Sequence, residues 1–272
     1  MRKFKNTLSY IKLGLGIGIS VLVLLAILTQ VLINGLGYIT WDFLFNPNAP
    51  RGETIVPAAA STLLIVVLTL LVAAPIGICS AIYLNEYANK NSRVVKGIRI
   101  AIETLSGIPS IIYGLFGFLF YVSVLGWGWS IRAGVLTVAI MVLPIIIRST
   151  EEALKSVPNT YREASFGLGA GKFYTIYKVI LPSAITGILA SIILSVGRIV
   201  GETAALLFTA GTLYAMPTSL SGSAATISVF MYTMTVEGSS MEKAYAAAVV
   251  LMVIVLALNL LANFIGRKLK RD

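Results

Sequence analysis

The chain has 272 residues, 57% of them hydrophobic and 12% charged, with a mean hydropathy of +0.91 and a formal net charge of +10. Soluble domains carry about 25% charged residues, so this composition cannot cover a water-facing surface and excludes an ordinary soluble fold. The basic residues flank apolar runs and form no helical or aromatic patch, which excludes nucleic acid as the reason for the charge.

There is no histidine, so the commonest metal ligand and the usual proton shuttle are missing. The one cysteine, Cys79, lies inside an apolar run and cannot form an intrachain disulfide. A catalytic or redox metal site is therefore not expected.

In chain order, a basic start (Arg2, Lys3, Lys5, Lys12) precedes an apolar run from Leu13 to Leu36. A signal peptide has an apolar region of about 7–15 residues and a small-residue cleavage site. This run is longer and lacks the site, so it reads as a retained membrane helix. A spanning helix needs about 20 mostly apolar residues. Uncharged stretches cover 13–41, 54–85, 104–131, 133–147, 179–197 and 244–266, which predicts six spans centred near Leu24, Leu70, Phe116, Ala139, Leu194 and Ile254.

The fourth span is short, with Arg132 and Arg148 placed to snorkel at its ends. Pro75 and Pro144 fall inside spans, where kinks are tolerated if neighbours satisfy the freed carbonyls. Gly14 and Gly18 form a GxxxG pair, which fits a packing face and equally fits chance. Thr203 to Val236 is uncharged but rich in Gly, Ser, Thr and Pro, and suits an external loop, with a re-entrant part left open.

Orientation follows from the Lys/Arg content of the loops. With the N-terminus inside, segments 1–12, 85–99, 148–178 and 267–272 carry seventeen of the 21 basic residues. The outside holds Arg51, Arg132 and Lys243, and Arg198 remains within a span. Both termini are expected in the cytoplasm. The layout is a terminus (1–12), a first span with an external loop (13–53), a core of five spans (54–266) and a second terminus (267–272).

The longest cytoplasmic stretch, about 148–182, has a structured pattern. Pro158 ends one helical segment, and Thr160-Tyr161-Arg162-Glu163 fits a capping box. A helix from about Tyr161 to Leu168 follows, closed by Gly169 in a left-handed cap. Tyr161, Phe166 and Leu168 are apolar residues on a helix too short to be stable alone, so it packs on the membrane surface or on a partner. Gly167 to Phe173 has a superficial likeness to a phosphate-gripping loop. The glycine needed five positions before Gly-Lys and the Ser or Thr after it are replaced by Phe166 and Phe173. No ATP site is expected in this chain.

The fifth span carries Arg198 and Glu202. Arg198 lies 16 residues beyond Pro182, about 24 Å along a helix, and an arginine at mid-bilayer costs at least about 2.5–3.5 kcal/mol. It should face protein or a water-filled path. The spacing of four places Glu202 within ion-pair reach on the same face. Ser191, Ser195, Arg198, Glu202 and Thr209 fall within about 60° of one another. This polar stripe either lines a translocation route or forms an inter-helix seam. A guanidinium suits an oxyanion because it donates paired hydrogen bonds.

Glu163-Ala164-Ser165, then Gly169, then Val179-Ile180-Leu181-Pro182 resembles the EAA loop of bacterial ABC importer permeases, with Ser165 and Val179 departing slightly from that pattern. Gly197-Arg198-Ile199-Val200-Gly201-Glu202-Thr203-Ala204 resembles the R-A-x-G-E-T-A motif of phosphate permeases. Gly107-Ile108-Pro109-Ser110-Ile111 through Phe116 is similar to another of their segments, and Met216-Pro217 through Glu237-Gly238 resembles the external loop of the PstA type. The resemblance covers the chain from about residue 54. It implies an all-α, six-span permease of the type I (MetI-like) importer fold.

It further implies that Tyr161, Glu163, Ala164, Phe166, Leu168 and Gly169 form the coupling helix that docks on an ATPase. Arg198, Glu202, Ser191, Ser195 and Thr203 would border the substrate pathway, with Arg148 either meeting the anion on exit or acting as an ordinary positive anchor. Partners implied are a PstC-type permease, a PstB-type ATPase dimer holding ATP and Mg, and an extracytoplasmic phosphate-binding protein. The chain itself would bind no cofactor and perform no covalent chemistry. Competing readings are the PstC-type sister subunit, a permease for sulfate or molybdate, and a proton-carrying subunit of an energy-transducing complex using Glu202. A further competitor is a self-sufficient ion channel, for which the long helix-capped cytoplasmic loop has no use.

Overall fold

In the computed structural model, residues 2–46, 50, 52–89, 91–237 and 240–269 are described, and no strand occurs among them. Arg51, Lys90, Gly238, Lys270 and Arg271, used above for orientation or motif, lie outside these residues. Five helices are long and apolar enough to cross a bilayer, and a sixth span results if one bent pair is counted as one.

The first helix, α1 (Arg2–Leu36), stands largely off the bundle and attaches near its end to α12 (Met241–Leu269). Leu28, Val31, Leu32 and Gly35 make that contact face at helical spacing. Gly14 and Gly18 have no packing neighbour among the described residues. A five-residue helix, α2 (Trp41–Phe45), precedes α3 (Val56–Ile82), which ends in a π-helical turn at Tyr83–Tyr87.

The centre of the bundle is α6 (Ile131–Ser156). Ala133, Val138, Val142, Ile146 and Leu154 on it are fully buried, because α3, α9 (Leu181–Val200) and shorter helices surround it. A helix apolar on every face needs such a position. The approach of α3 is close: a Cβ on Gly77 would stand 2.6 Å from a methyl carbon of Ile146. Pro75 and Pro144 lie within continuous helices.

Three spans differ from the sequence expectation. The stretch 104–131 is not one helix. Here α4 (Arg93–Ser106) meets α5 (Ser110–Gly117, continued by a π-helical segment to Val124) at 100°. Gly107-Ile108-Pro109 forces the break, since Pro109 has no N–H and pushes its predecessor out of helical geometry. The Tyr113 hydroxyl closes the bend by donating to Leu105 O at 2.7 Å.

The fourth helix is also not short. It runs two turns beyond Arg148 because Arg148–Glu152 and Glu151–Lys155 pair at i,i+4, and it stops before Pro158. The fifth span begins well before Pro182, as a rod of α8 (Lys172–Thr175), a π-helical turn (Ile176–Ile180) and α9 (Leu181–Val200).

The Thr203–Val236 stretch folds back into the bundle rather than lying wholly outside it. Its first helix, α10 (Ala204–Thr209), packs on α5 and α6, with Ala205 and Leu206 fully buried. The second, α11 (Ile227–Val236), packs on α12 and α3 around buried Phe230. Between them, Thr209 O accepts from Ser130 N and Gly222 O from Ile131 N, each at 3.0 Å, so the loop closes over the start of α6.

Candidate functional site

The candidate side chains fall in two clusters at opposite ends of α9. The first is built on α7 (Asn159–Gly167), which follows Pro158 directly. The expected capping box does not form. Pro158 begins the helix, so Thr160 and Glu163 both lie inside its first turns with no side-chain cap. Its C-terminus is as expected from Gly169, which has φ +83°. Gly169 N donates to Phe166 O at 2.9 Å and Ala170 N to Ser165 O at 3.1 Å, the paired bonds of a Schellman motif.

This helix leaves apolar surface in the open. Leu168 is 90% exposed and Phe173 76%, with Tyr161, Phe166 and Tyr174 about half exposed. A groove of about 860 Å³ is lined by Tyr161, Ala164, Leu168, Tyr174, Lys178 and Pro182. Glu163 is exposed at its side and has no side-chain partner among the described residues. Ser165, the departure from the EAA pattern, is buried and hydrogen-bonded to Thr175 at 2.8 Å. A serine suits that place because it ties α7 to the α8–α9 rod.

Residues not singled out from the sequence hold α7 in position. Arg162 Nη2 and Nε donate to the two carboxylate oxygens of Glu86 at 2.7 and 3.4 Å. Arg162 Nη1 donates to Val157 O at 3.0 Å and Asn159 Oδ1 at 3.3 Å, and Nη2 also reaches Leu154 O at 3.1 Å. All five guanidinium N–H groups are engaged.

Nearby, Arg99 Nη1 donates to Glu151 Oε2 at 2.8 Å and Nη2 to Leu84 O at 3.0 Å. Lys155 stands 3.6 Å from the same Glu151 oxygen. Arg148 lies at the rim of this cluster, exposed, with Glu103 at 3.7 Å and Glu152 at 3.6 Å. Those pairs place Arg148 in a charged rim. Glu86 lies 76 residues from Arg162 in sequence, so no local pattern could reveal that pair.

At the other end of α9, the expected Arg198–Glu202 ion pair is absent. The helix ends at Val200, and Gly201 turns the chain. Buried Glu202 instead accepts a hydrogen bond from Ala205 N at 3.1 Å and caps α10. Arg198 is exposed and has no hydrogen bond or ion pair among the described residues.

The stripe divides in the same way. Ser191 and Ser195 are buried, their hydroxyls donating to Ile188 O and Ser191 O of their own helix at 2.7 and 2.9 Å. Thr150 approaches Ser191 at 3.4 Å across the seam with α6. Thr209 is buried too, bonded to Ala205 O at 2.6 Å. Thr203 borders a separate, mainly apolar cavity of about 630 Å³ with Val31, Phe208 and Tyr232. Only Arg198 of this group lies on the open face of α9, in line with Thr186, Ala190 and Leu194. Ser191, Ser195, Glu202 and Thr209 make their hydrogen bonds within the bundle in this conformation.

The fold and these two ends define a polytopic helical membrane protein with an exposed charge on one span and an exposed apolar helix at one end. Residues 73–271 match the family of binding-protein-dependent transport system inner membrane components, and the chain belongs to that family. It is therefore a multi-pass membrane subunit of an ABC importer. It is 32% identical to the probable ABC transporter permease protein YqgI of Bacillus subtilis, over 97% of this chain and 96% of that protein.

It is 35% identical to phosphate transport system permease protein PstA 2 of Mycobacterium tuberculosis over 84% of this chain and 75% of the relative. It is 34% identical to PstA of Yersinia pestis over 88% and 81%. Among solved structures, a chain of a bacterial alginate ABC transporter aligns with a TM-score of 0.74 at 19% identity, covering 98% of this chain and 96% of that one. A chain of the inward-facing MetNI methionine transporter aligns with a TM-score of 0.62 over 79% and 94%. The MetI-like importer fold expected from the motifs is thus the observed one.

Proposed function

We propose that this chain is the PstA-type permease subunit of an ATP-driven importer of inorganic phosphate. The observation that carries the reading is Arg198: a guanidinium exposed on a span, with every fork donor free for an oxyanion, in a chain whose relatives include several PstA proteins. A PstC-type subunit would cover the open face of α9 and complete the pathway. A PstB-type ATPase dimer, holding ATP and Mg, would cover the apolar residues of α7, and a phosphate-binding protein would deliver substrate at the opposite side.

The Lys/Arg bias supports an orientation with the α7 end and both termini in the cytoplasm. ATP-driven closure of the ATPase would move α7, rock the bundle open to the outside and then reverse. Glu202 is engaged as the cap of α10, which disfavours the energy-transducing alternative. The test is radiolabelled phosphate uptake in proteoliposomes holding this chain with its co-encoded permease, ATPase and binding protein. ATP-dependent uptake that resists sulfate and molybdate establishes the substrate; transport of either competitor in place of phosphate overturns it.

A further inference from the structure

We infer that Arg162 is the positioning residue that delivers the displacement of α7 to the membrane spans, with Glu86 as its receiver. The inference rests on the importer reading, in which α7 is the element that an ATPase moves.

Most of α7 has no grip on the bundle. Of its nine residues only Ser165 is buried, and its apolar side chains face outward. The polar ties that remain are the Ser165–Thr175 bond to the α8–α9 rod and the four bonds that Arg162 makes outside α7. Arg162 reaches two rods at once. It grips the carboxylate of Glu86 at the end of α3, and it takes the carbonyls of Leu154 and Val157 at the end of α6. Those carbonyls belong to the last turn of a helix, where no intrahelical donor is available, and a cation there also complements the helix dipole.

The Arg162–Glu86 pair is only 16% and 9% exposed at its side chains, so water screens it little. Asn85 Nδ2 fixes the same carboxylate by donating to Glu86 Oε1 at 2.8 Å. A second arginine stitches the same two rods the other way round. Arg99 of α4 takes its acid, Glu151, from α6 and its carbonyl, Leu84 O, from the end of α3. The ends of α3 and α6 are thereby cross-tied, so a force applied at Arg162 moves them together. The fork geometry matters, because a lysine offers three donors from one point and cannot span both rods.

The experiment uses the complete complex in proteoliposomes and reads oxyanion carried per ATP hydrolysed, with whichever of phosphate, sulfate or molybdate the unaltered complex transports. The variants are Arg162→Lys, Glu86→Gln and the two combined, with retention of the ATPase on purification measured alongside. The expected result is a coupling ratio lowered about threefold to thirtyfold in each single variant. The double variant should fall no further than the worse single one, because both act through one bond.

An unchanged ratio in Arg162→Lys, or additive losses in the double variant, overturns the inference. Loss of the ATPase from both single variants also overturns it, since the pair would then merely hold the docking surface together. An unaltered complex that transports sulfate or molybdate but not phosphate removes only the phosphate assignment and leaves this test standing. One that hydrolyses ATP while carrying none of the three defeats both readings.

Discussion

Arg198 and Glu202 are four residues apart, yet they serve different neighbours: Glu202 caps α10 through Ala205 N at 3.1 Å, while Arg198 stays exposed and unpaired among the described residues. The turn at Gly201 separates them. It removes the counter-ion that a continuous helix would have supplied, and leaves a cation available on the open face of α9.

Arg198→Gln should therefore remove transport without harming the fold. Charge-assisted hydrogen bonds contribute about 1.5–3 kcal/mol, so uptake in proteoliposomes should fall at least about tenfold. Thermal unfolding in detergent should stay within a degree or two of the unaltered chain, as the side chain makes no internal bond. Full uptake by this variant would rule Arg198 out of the pathway.

Glu202→Ala should show the opposite pattern. It deletes the bond to Ala205 N in a buried setting, and loss of a helix cap costs about 0.5–2 kcal/mol. A lower melting temperature is expected, with residual uptake in the fraction that remains folded. If Glu202→Ala melts like the unaltered chain while uptake vanishes, Glu202 acts on substrate rather than on α10.

At the α7 end, Leu168→Ser should leave stability unchanged, because the side chain is 90% exposed. Burying a leucine contributes about 1.5–3 kcal/mol, so under the proposed docking the ATPase should be retained about tenfold or more less well. Affinity purification with a titrated ATPase reads this directly. Undiminished retention would place the docking surface elsewhere.

Gly169→Val acts through the backbone. The left-handed conformation costs a non-glycine residue about 1–2 kcal/mol, more for a β-branched one, and the Schellman bonds would open. Weaker ATPase retention is expected, and Gly169→Asn should be milder because asparagine tolerates that conformation. Equal behaviour of the two would argue against a strained cap as the cause.

The central contact is tested by Gly77→Val. With a Cβ already 2.6 Å from Ile146, a larger side chain must push α3 off α6, and overpacking costs about 1–3 kcal/mol. A lowered melting temperature in detergent checks it, and no change would mean that the two helices separate freely.

The sequence by itself determined that the chain is a membrane protein crossed by several long apolar helices, and that α7 is closed at Gly169. Those features follow from hydropathy over about 20 residues and from a left-handed position that needs glycine, both of them local properties. It also marked Arg198 as exceptional, since a cation among apolar residues is conspicuous without any structure.

Only the tertiary structure decided which polar residues are available for function. Ser191 and Ser195 share a helical sector with Arg198 but are buried in the bundle, and Thr209 is buried on the folded-back α10. The ties of Arg162 to Glu86 and of Arg99 to Glu151 join residues 76 and 52 positions apart. The length of α6 was equally hidden, because charged residues end an apolar run without ending a helix. Periodicity assigns a face to a residue, but what covers that face depends on distant segments, and that is a property of the packed chain.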